Sequence, residues 1–233
     1  MPYACTVPTP LESLSETHAA WWIDFLGEQN HVGGIDATRW LLERSRLEAG
    51  QLMLDCGAFV GAVARLAAER LGVRAIACDV GTDFLDVGRQ LAGGAAVGWV
   101  GADTQRLPFR DGSFQSVWAL DTYISIREMS RVAAAKATIC LCAEAPTDSR
   151  GGGDSFIQEW EEYGWAMAAH RQMNSEATQA WRAAESEMVR NRQRVEQRYG
   201  TRNYLAQLDM VATLVQSYER GEQGHGLFVF ARG

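Results

Sequence analysis

The chain has 233 residues, 47% of them apolar and 22% charged, with a net charge of −7. That size and composition suit one α/β domain with a substantial core and a small lid. An acidic chain without clustered Lys and Arg lacks the phosphate contacts that supply most nucleic-acid affinity, so nucleic acid is excluded as a partner and a small molecule is expected. The basic residues between Arg190 and Arg202 are interspersed with Glu196 and read as a solvated helix face.

No stretch of about 20 apolar residues is present, so no membrane span is expected. The opening Met1-Pro-Tyr-Ala-Cys-Thr-Val-Pro8 lacks the basic and apolar regions of a signal peptide. Cys56, Cys78, Cys140 and Cys142 fall in predicted buried strands, where reduced thiols pack as small hydrophobes, and a cytoplasmic location follows. Cys140 and Cys142 share a face of one strand, but no second pair at ligand spacing accompanies them. No metal site is therefore expected.

In chain order, residues 1–10 read as an irregular lead-in, and apolar positions over 11–26 fit a helix. His31-Val-Gly-Gly34 is a turn, after which Asp36 or Thr38 can cap a helix over 37–47. Strand and helix then alternate: strand 52–56, helix 60–71, strand 74–80, helix 82–91, strand 97–102, strand 114–120, helix 125–134 and strand 138–143. Such alternation means right-handed crossovers and a parallel sheet. Residues 146–155 read as a flexible loop, followed by a helix over 156–163 and a short strand over 165–170. Two long helices follow, one with a stripe from Ala177 through Trp181, Ala184, Met188 and Val195 to Tyr199, the other carrying Tyr204, Leu208, Val211, Val215 and Tyr218. A last strand covers 225–232. The expected organisation is a single domain: a helical cap (1–50), a sheet core (51–173), a helical insertion (174–221) and a final strand (222–233).

The stretch Leu52-Met-Leu-Asp-Cys-Gly-Ala-Phe-Val-Gly61 carries the first functional signal. Strand, glycine turn and helix are how a parallel sheet presents backbone N–H groups to a nucleotide-like ligand. Asp55, Asp79, Asp103 and Asp121 fall at or beside the ends of successive strands, where open sheets bind their ligands. A carboxylate closing the second strand can accept hydrogen bonds from both hydroxyls of a ribose. Phe59 stands where such loops usually carry another glycine.

These features, with Gly101-Ala-Asp-Thr-Gln-Arg-Leu-Pro-Phe109 and the final strand after a helical insertion, resemble the class I S-adenosylmethionine-dependent methyltransferases. The resemblance covers residues 31–145 well and the remainder in outline. It implies a Rossmann-like, seven-stranded, mostly parallel sheet with an antiparallel last strand, an N-terminal helical lid and a helical insertion. By carry-over, Asp55, Gly57, Phe59 and Gly61 would lie under the methionine moiety of S-adenosylmethionine, Asp79 would bind the ribose, and Asp103 with Thr104 the adenine. Val80, Leu120 and Gly33 complete the implied cofactor set. The turn at His31-Val-Gly-Gly34 and the close Gly224-His-Gly-Leu-Phe-Val229 are similar to a subgroup acting on small amines and natural products.

Tyr123, His31 and Asp121 are the candidate bases for an amine or phenol acceptor. Trp22, Tyr123 and Trp181 are the candidate acceptor-binding rings, since indole faces attract cations. His170 and His225, in predicted strands, read as structural, and the apolar stripes of the insertion could face a second subunit. Two alternatives stay open. One is a cyclase that closes the cofactor's own methionine amine into azetidine-2-carboxylate with release of methylthioadenosine, in which Phe59 would bend the chain. The other is a cofactor-binding pseudoenzyme.

Overall fold

The computed structural model of the chain describes residues 27–146 and 154–232. The helix expected over 11–26, and Trp22 with it, lies outside them. Seven strands form one sheet: β1 (Leu52–Cys56), β2 (Arg74–Asp79), β3 (Val97–Gly101), β4 (Phe114–Leu120), β5 (Ala133–Pro146), β6 (Ala166–Gln172) and β7 (Gln223–Ala231). Their order is β3-β2-β1-β4-β5-β7-β6. Strands β1 to β5 pair in parallel, and β7 enters between β5 and β6, antiparallel to both. Eight helices are described: α1 (Gly34–Leu42), α2 (Ala62–Leu71), α3 (Thr82–Leu91), α4 (Ile126–Val132), α5 (Asp154–Glu162), α6 (Asn174–Arg190), α7 (Arg192–Tyr199) and α8 (Thr201–Glu219). None among the described residues is long and apolar enough to cross a membrane.

The central strands read as unbroken apolar runs because both faces of the sheet are covered. Leu54, Val117, Ile139 and Leu141 face α4 and α5, with Met129, Val132, Trp160 and Trp165. Met53, Trp118, Cys140 and Cys142 face the other way, onto Leu41, Val63, Ala177 and Tyr218. Over β2 and β3 the close fit is made by glycine. A Cβ on Gly61 would come within 2.5 Å of the Trp99 ring, and one on Gly88 within 2.3 Å. Both helices therefore lie directly on that indole.

Several boundaries differ from the sequence reading for local reasons. The helix expected over 37–47 begins at Gly34, after Gly33 at φ 78°, and ends at Leu42. There the Ser45 hydroxyl donates to the Leu42 carbonyl (2.9 Å) and Arg46 adopts φ 56°, which stops the helix. Strand β5 runs 14 residues rather than the expected six. Its Ala133-Ala-Ala-Lys-Ala start favours helix, but pairing of Ala133 with Phe114 and of Thr138 through Pro146 with β7 overrides that preference. The first insertion helix breaks at Asn191, whose side-chain amide donates to the Glu187 carbonyl (3.0 Å). The apolar stripes of α6 to α8 close on one another: Met188, Val195 and Tyr199 pack with Tyr204, Val211 and Val215. That mutual burial removes the reason for assigning them to a second subunit.

Candidate active site

The parallel register sets four acids along one edge of the sheet. Asp55 lies opposite Ala77 and Trp118, Asp79 closes β2 opposite Gly101, Asp103 follows β3 and Asp121 follows β4. Three connected lobes open along this edge. A lobe of about 390 Å³, the expected cofactor lobe, is lined by Asp55, Gly57, Phe59, Asp79, Leu120 and Asp121, among others. A smaller lobe of about 330 Å³ adds Val80, Asp103, Thr104 and Gln105. The third, about 680 Å³, is walled by Asn30, Asp121, Tyr123, Glu144, Trp181 and His225. Thr122 borders all three. It was missed because a threonine after a strand has no motif. A Cβ on Gly57 would lie 2.1 Å from the Thr122 Oγ1, so the two loops touch there and only glycine fits.

Asp55 is 2% exposed, and burial pushes its carboxyl up to about 7, with the Ala64 N–H pulling down and the Asp79 charge pushing up. Its Oδ2 is buried and has no partner. Asp79 is anchored by two backbone donors, Phe59 N–H to Oδ2 (2.9 Å) and Gly81 N–H to Oδ1 (2.8 Å), which leaves lone pairs facing the lobe. Asp103 accepts the Gln105 N–H (2.8 Å), and Val80 is 72% exposed, an apolar residue standing bare at the lobe rim. The loop after β3 that carries Asp103 and Thr104 is tied down by Arg131. It donates to the Leu107 and Phe109 carbonyls (2.9 and 2.7 Å), to Asp111 and to Glu128, whose carboxylate also takes the Leu107 N–H. Reading motifs gave no sign of this clamp, because its members span 24 residues of chain.

Other expected residues turn out to do different work. Phe59 has φ 52°, and its ring is 6% exposed, 4.5 Å from the Phe84 ring in a cluster with Val60 and Val87. The ring borders the cofactor lobe but does not stand free in it. Gly61 caps α2 and accommodates Trp99, so its role is helix-to-strand packing rather than contact with the lobe. Gly33 likewise lines none of the lobes, and a Cβ there would meet the Met173 methyl at 2.6 Å.

His31 is 2% exposed, with Nδ1 at 3.0 Å from the Val32 carbonyl and Nε2 at 2.9 Å from the Thr38 hydroxyl. Burial holds its imidazole below the usual range despite the nearby Asp121 charge. Both nitrogens of His31 are engaged within the turn, and it lines none of the three lobes formed by the described residues. Asp121, at φ 47°, accepts the Val32 N–H at 2.7 Å and pairs with His225 Nε2 at 3.0 Å. Burial alone would raise its carboxyl, but His225, the Val32 N–H and His31 together hold it below the usual range. Tyr123, 60% exposed, stands at the mouth of the third lobe, and Trp181 forms part of its wall. His225 carries more than the structural role assigned from sequence. It lines the lobe and lies 3.0 Å from the Tyr218 hydroxyl through Nδ1.

A parallel sheet of this order, with its last strand inserted antiparallel and acids at successive strand ends, defines a class I S-adenosylmethionine-dependent methyltransferase fold. Residues 53–141 match the methyltransferase-domain family. The curated protein Methyltransferase GfsG of Streptomyces halstedii is 31% identical over 131 residues, 49% of this chain. That match spans about half, 46%, of the relative's length. Among solved structures, a candidate sarcosine dimethylglycine methyltransferase from Galdieria sulphuraria superposes with a TM-score of 0.83 at 13% identity, covering 91% of this chain and 96% of that one. Phosphoethanolamine N-methyltransferase 2 of Haemonchus contortus, solved with S-adenosyl-L-methionine, gives 0.74 at 15% identity, covering 94% and 57%. S-adenosylmethionine is the cofactor of this family. The cradle fits it on one count: the orphaned Asp55 oxygen calls for a buried donor.

Proposed function

We propose that the chain transfers a methyl group from S-adenosylmethionine to a small metabolite bearing a nucleophilic amine or hydroxyl. The observation that carries this reading is the continuity of the cofactor lobe with the larger lobe through Asp121 and Thr122, which lets two ligands meet end to end. The cofactor, when bound, supplies an electrophilic methyl group on a sulfonium. Asp55 and Gly57 would hold its methionine end, Asp79 its ribose, and Val80, Asp103 and Thr104 its adenine. The chain's contribution is alignment of the two ligands and exclusion of water.

The larger lobe would take the acceptor. Its described wall carries two carboxylates, Asp121 and Glu144, two aromatic side chains, Tyr123 and Trp181, and no Lys or Arg. Such a wall favours a neutral or cationic acceptor over an anionic one. Acceptors that are amines also appear in the names of the two structural neighbours described above. Tyr123 can hydrogen-bond the acceptor heteroatom, whose proton would pass to the Glu144 carboxylate or to water, since Asp121 is already bonded to Val32 and His225.

The test is calorimetry with S-adenosylmethionine and S-adenosylhomocysteine, followed by mass spectrometry of reactions with a panel of small amines and phenols. Micromolar cofactor binding and acceptor-dependent S-adenosylhomocysteine are expected. Absence of binding by both cofactor forms refutes the reading. Methylthioadenosine formed from S-adenosylmethionine alone would replace it with the cyclase.

A further inference from the structure

Three side chains of different chemistry meet beneath the larger lobe: Asp121 just beyond β4 and His225 in β7, which line it, and Cys142 in β5, buried behind them. Their convergence follows from strand register. Leu120 pairs with Cys142, and the Asp121 N–H then donates to the Cys142 carbonyl at 2.8 Å. Antiparallel pairing sets Glu144 opposite His225 and Cys142 opposite Leu227, which brings the His225 ring over the Cys142 side chain on the same face of the sheet. The donor atoms lie within 4.8 Å of one another, and no other group of three His, Cys, Asp or Glu among the described residues meets that condition. His225 Nε2 is 3.0 Å from Asp121 Oδ1 and 3.3 Å from Cys142 Sγ.

We propose that Asp121, Cys142 and His225 bind a divalent transition metal of the zinc class, with a remaining coordination position open to the larger lobe. One nitrogen, one oxygen and one sulfur ligand suit zinc or cobalt better than magnesium or calcium. At usual bond lengths of about 2.0 Å to O and N and about 2.3 Å to S, the two short separations subtend about 95–100° at the metal, close to a compressed tetrahedron. Each of two ligands has an outer partner of the kind that orients metal ligands. Tyr218 Oη lies 3.0 Å from His225 Nδ1, and the Val32 N–H donates to Asp121 Oδ2 at 2.7 Å.

The charges and protons balance. A carboxylate and a thiolate neutralise a dication, and the described wall of the lobe offers no Lys or Arg to compete for them. In the metal-free chain the Cys142 thiol donates its proton to the Val32 carbonyl at 3.6 Å. Metal binding therefore releases the thiol proton. Coordination through His225 Nε2 leaves the ring proton on Nδ1, donated to Tyr218 Oη. Three protein ligands leave the fourth position to water or to a heteroatom of the acceptor, whose proton a bound metal would acidify. Sequence offered no hint of this, because Cys142 finds its partners 21 residues before and 83 residues after it only once β4, β5 and β7 are side by side.

The test uses the full chain, stripped with a chelator and titrated with Co(II). Saturable binding of one equivalent is expected, with a near-ultraviolet thiolate-to-cobalt charge-transfer band that Zn(II) abolishes. Cys140→Ser should keep the band, since Cys140 is outside the trio. Cys142→Ser should lose it, and His225→Gln should weaken cobalt binding at least tenfold. Circular dichroism reports whether each variant is folded, and S-adenosylmethionine calorimetry whether the adjoining cofactor lobe is intact. No saturable binding by wild-type protein, or a band that survives Cys142→Ser, would mean that the trio is a hydrogen-bonded Asp–His pair beside a packed thiol and would overturn the proposal. Because cofactor binding is read independently, that failure leaves the methyl-transfer reading standing.

Discussion

Replacing Asp55 by Asn tests the link between burial, charge and cofactor at the centre of the cradle. In the folded chain this carboxyl is raised from 3.8 to about 7, chiefly by burial. A raised carboxyl binds its proton more tightly in the folded state than in the unfolded one. Its contribution to stability is therefore lost as pH climbs from about 4 through 7. Full ionisation costs about 4 kcal/mol, and roughly 2.5 kcal/mol of that falls between pH 5 and pH 8. Asn has the same shape and does not titrate. In urea denaturation of the cofactor-free protein, Asp55→Asn should therefore gain on wild type by about 2.5 kcal/mol between pH 5 and pH 8. Cofactor binding should move the other way. If the carboxylate pairs with the cofactor's ammonium, wild-type affinity rises with pH between 5 and 7 by up to about tenfold per unit, while the variant's stays flat. Parallel stability curves for the two proteins would refute the burial argument.

Phe59 invites a paired substitution. Loss of its buried ring costs about 3–5 kcal/mol in either variant, but Gly relieves the left-handed backbone that Ala retains. Phe59→Gly should thus be about 1 kcal/mol more stable than Phe59→Ala in urea, and equal stability would remove the strain argument. Gly88→Ala drives a methyl to 2.3 Å from the Trp99 ring and 2.7 Å from the Val60 carbonyl. It should cost about 1–3 kcal/mol and lower Tm by several degrees in a calorimetric scan, whereas an unchanged Tm would show that the helices have room to shift. Arg131→Met leaves Glu128 without its guanidinium partner and frees the Leu107 and Phe109 carbonyls. A loss of about 3 kcal/mol and faster proteolysis between residues 103 and 113 are expected, with native protease resistance as the contrary result.

What the sequence made legible was local. Strand ends, the glycine turn and the acids beside them lie within a few residues of one another, so period and spacing locate Asp55, Asp79 and Asp103. Trp99 is different, because its packing on Gly61 and Gly88 depends on two helices crossing one strand. His31 and Asp121 looked equivalent as bases. Burial separates them, since one is closed inside a turn and the other is shared between Val32 and His225. The long β5 was hidden for a related reason: its alanine-rich start has no strand preference until β4 and β7 supply partners. The left-handed Phe59 was visible only as an anomaly in a glycine pattern, and backbone geometry gave it a meaning.

The insertion of α6 to α8 has a core of its own, built from Met188, Val195, Tyr199, Tyr204, Val211 and Val215, and Trp181 packs against both this core and the sheet. This arrangement divides the molecule into two separately variable parts. Substitutions inside the small core can reshape the wall of the larger lobe without disturbing the strand ends that carry the four acids. The boundary between inheritance and innovation then runs through one indole. Repacking around Trp181 would change the shape of the larger lobe while leaving the strand ends in place.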